Sequence, residues 1–205
     1  ELIAYVKDVR SVFSPLAPSL FSSVWEAFTA SRRVADGLSL ALELSTDLAP
    51  TLAAGDLFAA FVNALTDARL SSDADNALQS YTSSNLPVSS QLSVAAVTVQ
   101  ATAGRWSEFE QHVSQLLSSR PDAINTAALE RWSLAATRAR EQDRMLHVLK
   151  DVEAHTQSTV LYSALVRSYA DMNAYSDAVR LLTHMLEEGI KPERFAPTAV
   201  AEVLA

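Results

Sequence analysis

Few side chains in this sequence could do chemistry. Its four histidines, His112, His147, His155 and His184, lack the i, i+4 or close-paired spacing that lets two imidazoles meet one metal ion. Each reads as a surface or interhelix histidine. The tightest carboxylate pair, Asp73 and Asp75, falls where a helix is expected to begin, and there an acidic group satisfies free N–H donors and the positive end of the helix dipole. There is no cysteine, which removes disulfides, thiolate metal sites and cysteine nucleophiles together. A Gly-rich phosphate loop, a Gly-x-Ser-x-Gly elbow and a His-Glu-x-x-His run are all missing. The tryptophans Trp25 and Trp132 sit at apolar-stripe positions and Trp106 at a helix entry, where packing explains them. The sequence therefore predicts no enzyme, no metal, no cofactor and no small-molecule substrate.

Charge narrows the choice of partners. The net charge is −8, and an acidic surface repels phosphate because nucleic-acid affinity comes largely from Lys and Arg displacing counterions. The distribution is uneven: residues 1–119 carry six basic and twelve acidic side chains, residues 120–205 ten and twelve. Any nucleic-acid contact is expected toward the C-terminus. No apolar run reaches the roughly 18 residues that a membrane span needs; the most apolar stretch, Leu92 to Ala103, is broken by Ser93, Thr98, Gln100 and Thr102. The sequence begins at Glu1 rather than Met, so a processed, truncated or partial chain is expected and a targeting peptide cannot be read.

The elements that carry these residues are spaced by proline. Pro15, Pro50, Pro87 and Pro121 are 35, 37 and 34 residues apart, and Pro192 comes after a further 71, close to two more periods. Proline sits just beyond helix ends, so the spacing predicts repeated helix pairs. The apolar stripes agree. In residues 159–193 Tyr162, Leu165, Val166 and Tyr169 fall at i, i+3, i+4 and i+7, followed by Ala178, Val179, Leu181, Leu182 and Met185. Ser176 is a candidate N-cap, and Gly189 is placed to end the second helix in a left-handed cap. Residues 18–53, 54–89, 90–125 and 126–158 repeat the pattern, from Phe21, Trp25 and Phe28 in the first of these to Met145, Val148, Leu149 and Val152 in the last. Ser107 three residues before Glu110 reads as a capping box. Residues 1–17 read as the second helix of a preceding unit and 194–205 as the first helix of a following one. Neither helix of a pair can bury its apolar face alone, so neighbouring pairs must stack.

The run from Tyr162 through Ala178-Val179-Arg180-Leu181-Leu182 to Gly189-Ile190-Lys191-Pro192-Glu193 resembles a pentatricopeptide repeat, over one unit of 35 residues. The four upstream units keep the period and the stripes without the motif residues. The resemblance implies an all-α, right-handed superhelix whose first helices line a concave groove. It also implies one nucleotide per repeat, read by a polar residue of the first helix and the last residue of the repeat, with an apolar residue wedged between bases. On this sequence those are Ser163, Glu193 and Val160. Glu193 departs from the usual Asp, Asn or Ser. Asp171 stands where the family often has a phosphate-facing Lys, and Glu130 stands at the base-reading place of the preceding unit. Arg131, Arg138, Arg140 and Arg144 partly offset these acids, although interleaved with Glu130, Glu141 and Asp143 they also read as a solvated helix face.

As a function, the resemblance implies a non-catalytic, mitochondrial (organellar) repeat subunit of a larger ribonucleoprotein, such as the mitoribosome or an RNA-processing or editing complex. It would contact other proteins along much of its length and single-stranded RNA at one end. The alternative is a protein–protein scaffold of the tetratricopeptide type with no RNA contact.

Overall fold

The computed structural model describes residues 18–48, 51–156 and 158–191. All regular structure among them is helical. The helices are α1 (Pro18–Ala30), α2 (Val34–Leu48), α3 (Leu52–Asp67), α4 (Ser71–Ser83), α5 (Ser90–Thr102), α6 (Trp106–Ser119), α7 (Thr126–Ala139), α8 (Gln142–His155), α9 (Thr159–Asp171) and α10 (Tyr175–Glu187), with a 3-10 turn at Pro121–Ala123. The expected flanking helices at 1–17 and 194–205 lie outside the described residues, as do Pro15, Pro50, Pro192 and Glu193.

The odd-numbered helices open the pairs and the even-numbered ones close them. Every first helix ends on one residue with positive φ: Arg32 (56°), Arg69 (61°), Gly104 (76°), Arg140 (61°) and Asn173 (60°). The next residue then donates its N–H five residues back, closing the corner as a Schellman turn. The bonds are Arg33 N to Phe28 O (2.9 Å), Leu70 N to Leu65 O (2.9 Å), Arg105 N to Gln100 O (2.9 Å), Glu141 N to Ala136 O (3.0 Å) and Ala174 N to Tyr169 O (2.9 Å). Five corners of one geometry, about a unit apart, give the repeat its physical basis: each stops a first helix and turns the chain back in the same way.

The chain divides into two compact units, residues 1–99 and 100–205. In the first, α1 packs beside α3, α2 beside α4, and α2 fills the groove between the first helices. Its core is aromatic. Trp25 stacks on Phe21 (centroids 5.9 Å) and meets the edge of Phe61 (5.2 Å), while Phe58 lies 4.5 Å from Tyr81. Gly37 leaves room for Phe28 and Phe61, and Gly55 of α3 lies against Ser89 at the entrance to α5.

The second unit has the same two layers. First helices α7 and α9 pack on each other, second helices α6 and α8 do likewise, and α8 touches both α7 and α9. Phe109 meets Trp132 edge to face at 5.2 Å, and Leu129, Leu149, Leu165 and Tyr169 are fully buried between the layers. The stripe residues Met145, Val148, Leu149 and Val152 expected in 126–158 are all buried. In the last pair Val179 is exposed and Leu182 half-buried.

Two caps differ from expectation. Helix α6 begins at Trp106 on Arg105, so Ser107 lies inside the first turn; its hydroxyl accepts instead from Arg144 Nη2 at 3.0 Å, and Glu110 also takes Arg144. Helix α10 begins at Tyr175 on Ala174 without a side-chain cap, because the Schellman corner at Asn173 already sets its entry, one residue ahead of Ser176. Gly189 does adopt the left-handed conformation, φ 71°, and Asp73 lies in the first turn of α4.

Candidate nucleic-acid interface

Helices α7 and α9 of the second unit lie side by side and turn one face of each to solvent. On α7 that face is Ala127, Glu130, Leu134 and Arg138; on α9 it is Val160, Arg167 and Asp171. The spacing reflects the helix, since residues three and four apart lie one above the other. The opposite faces carry Leu129, Trp132 and Ala136, and Leu165, Val166 and Tyr169, all fully buried. Packing thus leaves these residues, polar and apolar alike, on the solvent side.

The predicted site residues fall differently on this surface. Val160 is 55% exposed and stands at the start of α9. Ser163, one turn on, is only 5% exposed, so its hydroxyl lies beneath the surface rather than on it. Glu193 lies outside the described residues. Among the described residues the structure therefore places Val160 and Ser163 on one helix, the first exposed and the second buried.

Electrostatics centre on Arg167 and Glu130, which face each other across the two first helices with Arg167 Nη1 2.9 Å from Glu130 Oε1. Both are about half exposed, 50% and 48%. Asp171, one turn beyond Arg167, has its carboxyl pushed above its ordinary range, first by partial desolvation and then by Glu130, with Arg167 opposing. Leu134, 49% exposed, stands one turn after Glu130. Arg167 and Leu134 were not singled out from sequence. The available signal was the 37-residue offset between Glu130 and Arg167, close to one repeat, which puts opposite charges on adjacent first helices.

Two other arginines of the unit, Arg144 and Arg180, are held in the second-helix layer. Arg144 of α8 donates to both carboxylate oxygens of Glu110 on α6, at 2.8 and 2.7 Å. Its hydrogen bond keeps Glu110 below the ordinary carboxylate range, against desolvation. Arg180 of α10 donates to both oxygens of Glu153 on α8, at 2.8 and 2.9 Å, and the Tyr169 hydroxyl donates to the same carboxylate at 2.7 Å. Desolvation would raise Glu153, but the bonds from Arg180 and Tyr169 outweigh it and hold the group low. Burial, then the bond to Glu153, drives the Tyr169 phenol up. Of the four basic residues read from α7 and α8, Arg144 is thus committed to packing, whereas Arg138 and Arg140 are exposed.

The histidines sit apart. His112 Nδ1 pairs with the Gln100 side-chain amide at 2.7 Å, His155 Nδ1 meets Asp151 O at 2.7 Å, and His184 stands edge-on to Tyr162. Among the described residues no group of His, Asp and Glu could hold a metal ion, and no helix is long and apolar enough to cross a membrane.

Comparison with solved structures decides the fold. The pentatricopeptide repeat protein PPR10, in complex with an 18-nt psaJ RNA element, superposes on 98% of this chain with a TM-score of 0.52 at 15% sequence identity. A form of the same protein with three cysteines replaced by serine, bound to the same element, gives the same values. The chain has a pentatricopeptide-repeat fold. It spans 34% of the length of PPR10. No family model matches the sequence, and no curated protein does. The α7–α9 stripe is the solvent-exposed face of two neighbouring first helices.

Proposed function

We propose that this chain is a non-catalytic pentatricopeptide-repeat subunit of an organellar, mitochondrial ribonucleoprotein, such as the mitoribosome or an RNA-processing or editing complex. Its second unit contacts single-stranded RNA on the α7–α9 stripe, and its remaining surface contacts protein. One observation carries the RNA reading: the first helix α9 presents the exposed apolar Val160 and the cation Arg167 on one solvent face, in a fold whose solved counterpart holds an RNA element. An apolar side chain and a guanidinium are the two groups that a flexible strand can use without base pairing, one for a base face and one for a phosphate.

Charge supports the division of labour. In the first unit the exposed stripe of α3 carries Asp56 and Asp67, groups that repel phosphate and suit a basic protein partner.

The test is an anisotropy titration of labelled single-stranded RNA at about 50 and 200 mM salt, a range over which each phosphate contact weakens binding measurably. Saturable binding that falls with salt is expected. The second reading, a protein scaffold without RNA contact, is favoured by the net charge of −8 and by the pairing of Arg167 with Glu130. It predicts no saturable binding at the lower salt.

A further inference from the structure

We propose that Arg167 is the phosphate contact of the α7–α9 face and that Glu130 is its built-in competitor, a carboxylate that occupies the guanidinium until an RNA phosphodiester displaces it. The inference rests on the RNA reading above and adds to it a residue, a chemical group and a regulated step.

Three contrasts single out Arg167. Arg144 and Arg180 each grip both oxygens of one carboxylate, and the Glu153 side chain is only 19% exposed; a ligand would have to break two charge-assisted hydrogen bonds to free either. Arg167 instead donates to one oxygen of Glu130 through one nitrogen, at a pair that is half exposed on both sides. Exposed pairs of this kind are weak and screened by salt. A guanidinium has five donors in a planar fork, so Arg167 keeps donors for a second acceptor, and a phosphodiester offers two oxygens at the spacing that such a fork matches.

The neighbours of the pair fit the same ligand. Val160 lies seven residues before Arg167 on the same face of α9, two helical turns away or about 10 Å. Leu134 lies one turn beyond Glu130 on α7 and is 49% exposed, an aliphatic surface for the base whose phosphate sits on Arg167. Asp171, one turn past Arg167, adds a second acidic group. Arg167 thus stands between two carboxylates, on a face that also carries the exposed Arg138 near the end of α7, and the acids offset its pull on polyanions in general. A strand gains the cation only when it also places bases on Val160 and Leu134.

The test uses the whole chain and a fluorescein-labelled single-stranded oligouridylate, with wild type, Glu130→Gln, Arg167→Gln, Arg167→Lys and the Glu130→Gln/Arg167→Gln double variant titrated at two salt concentrations. Glu130→Gln should tighten binding by up to about fivefold at low salt, the worth of the one exposed ion pair that the phosphate no longer has to break. Arg167→Gln should weaken binding and lower the logarithmic salt slope by about 0.7, the value for one phosphate on a single strand. Arg167→Lys should keep the slope while losing part of the affinity. The double variant should bind as Arg167→Gln does, because the competitor has nothing left to cover. Circular dichroism checks that each variant is folded, and the Lys variant carries the test should the Gln variant unfold. If wild type binds but neither Glu130→Gln nor Arg167→Gln changes affinity or slope, the assignment falls and the RNA reading stands. Weaker binding by Glu130→Gln would overturn it too, by making Glu130 a contact. Absence of binding by wild type and Glu130→Gln alike would remove both.

Discussion

Replacing Gly55 by alanine should destabilise the chain, although a helical glycine exchanged for alanine ordinarily stabilises. A Cβ built on Gly55 would meet Ser89 N at 2.7 Å, Ser89 Cβ at 2.8 Å and Ser89 Oγ at 2.8 Å. Apolar atoms in contact normally stand roughly 3.5–4 Å apart, so one of the two backbones must retreat. Ser89 has no room to swing aside: it is 2% exposed, and its hydroxyl accepts from Leu92 N at 3.1 Å, capping α5. Moving it strains or opens that cap, at about 1 kcal/mol, and overpacking adds about 1–3 kcal/mol. The better helix propensity of alanine returns at most about 1 kcal/mol. The net expectation is a loss of about 1–3 kcal/mol. Urea unfolding monitored by far-ultraviolet circular dichroism reads it as a lower midpoint at unchanged slope. Gly37→Ala is the internal comparison, because the atoms nearest its new Cβ would be not backbone but the Phe61 ring at 3.1 Å and Phe28 side-chain atoms at 3.2 and 3.3 Å, a milder approach that should cost less. A Gly55→Ala protein as stable as wild type would refute the close approach of α3 to the entrance of α5.

Three further outcomes are expected. Leu149→Ala should cost about 2–5 kcal/mol, since Leu149 is fully buried, whereas Leu182→Ala, at the same place in the following pair but only half-buried, should cost clearly less; paired urea melts measure the difference. Asn125→Ala should cost about 1 kcal/mol by removing the side-chain oxygen that accepts from Ala128 N at 2.9 Å, and amide exchange should localise the loss to the first turn of α7. Glu153 is held below its ordinary value of 4.5 by Arg180 and Tyr169, against desolvation, so its contribution is present above that value and is lost as pH falls through the lower folded one. Glu153→Gln should therefore be destabilised at neutral pH, and the gap to wild type should close in the acid range below about 4.5; a gap independent of pH would mean that the charge on Glu153 does not matter.

The architecture was legible because two independent signals agree: prolines about a unit apart and apolar stripes of helical period. Those stripes place Trp25, Phe28, Trp132, Met145 and Leu165 in the core, where they are buried. Phe58, also fully buried, was missed because its contact with Tyr81 comes from the tertiary neighbour α4 rather than from the α3 stripe. The corners were harder to read. Sequence rules look for Gly or Asn at a left-handed cap, yet arginine takes that conformation at positions 32, 69 and 140. Left-handed backbone strain of about 1–2 kcal/mol is offset there by the 6→1 hydrogen bond and by the packing of the pair that it joins. The capping residues failed for a related reason, since Ser107 and Glu110 are both engaged by Arg144 from the next second helix. On the candidate face, resemblance pointed to Val160 and Ser163 by position within a repeat. It could not reveal the pairing of Arg167 with Glu130, which depends on how two first helices register against each other.

Photocrosslinking of the intact chain to single-stranded RNA containing 4-thiouridine, with mass-spectrometric mapping of the adducts, bears most directly on where a strand would lie. The account predicts adducts on the exposed face of α7 and α9, around Leu134, Val160 and Arg167, that diminish as salt rises. Adducts concentrated on the second helices α6, α8 and α10, or spread evenly over the acidic first unit, would contradict it.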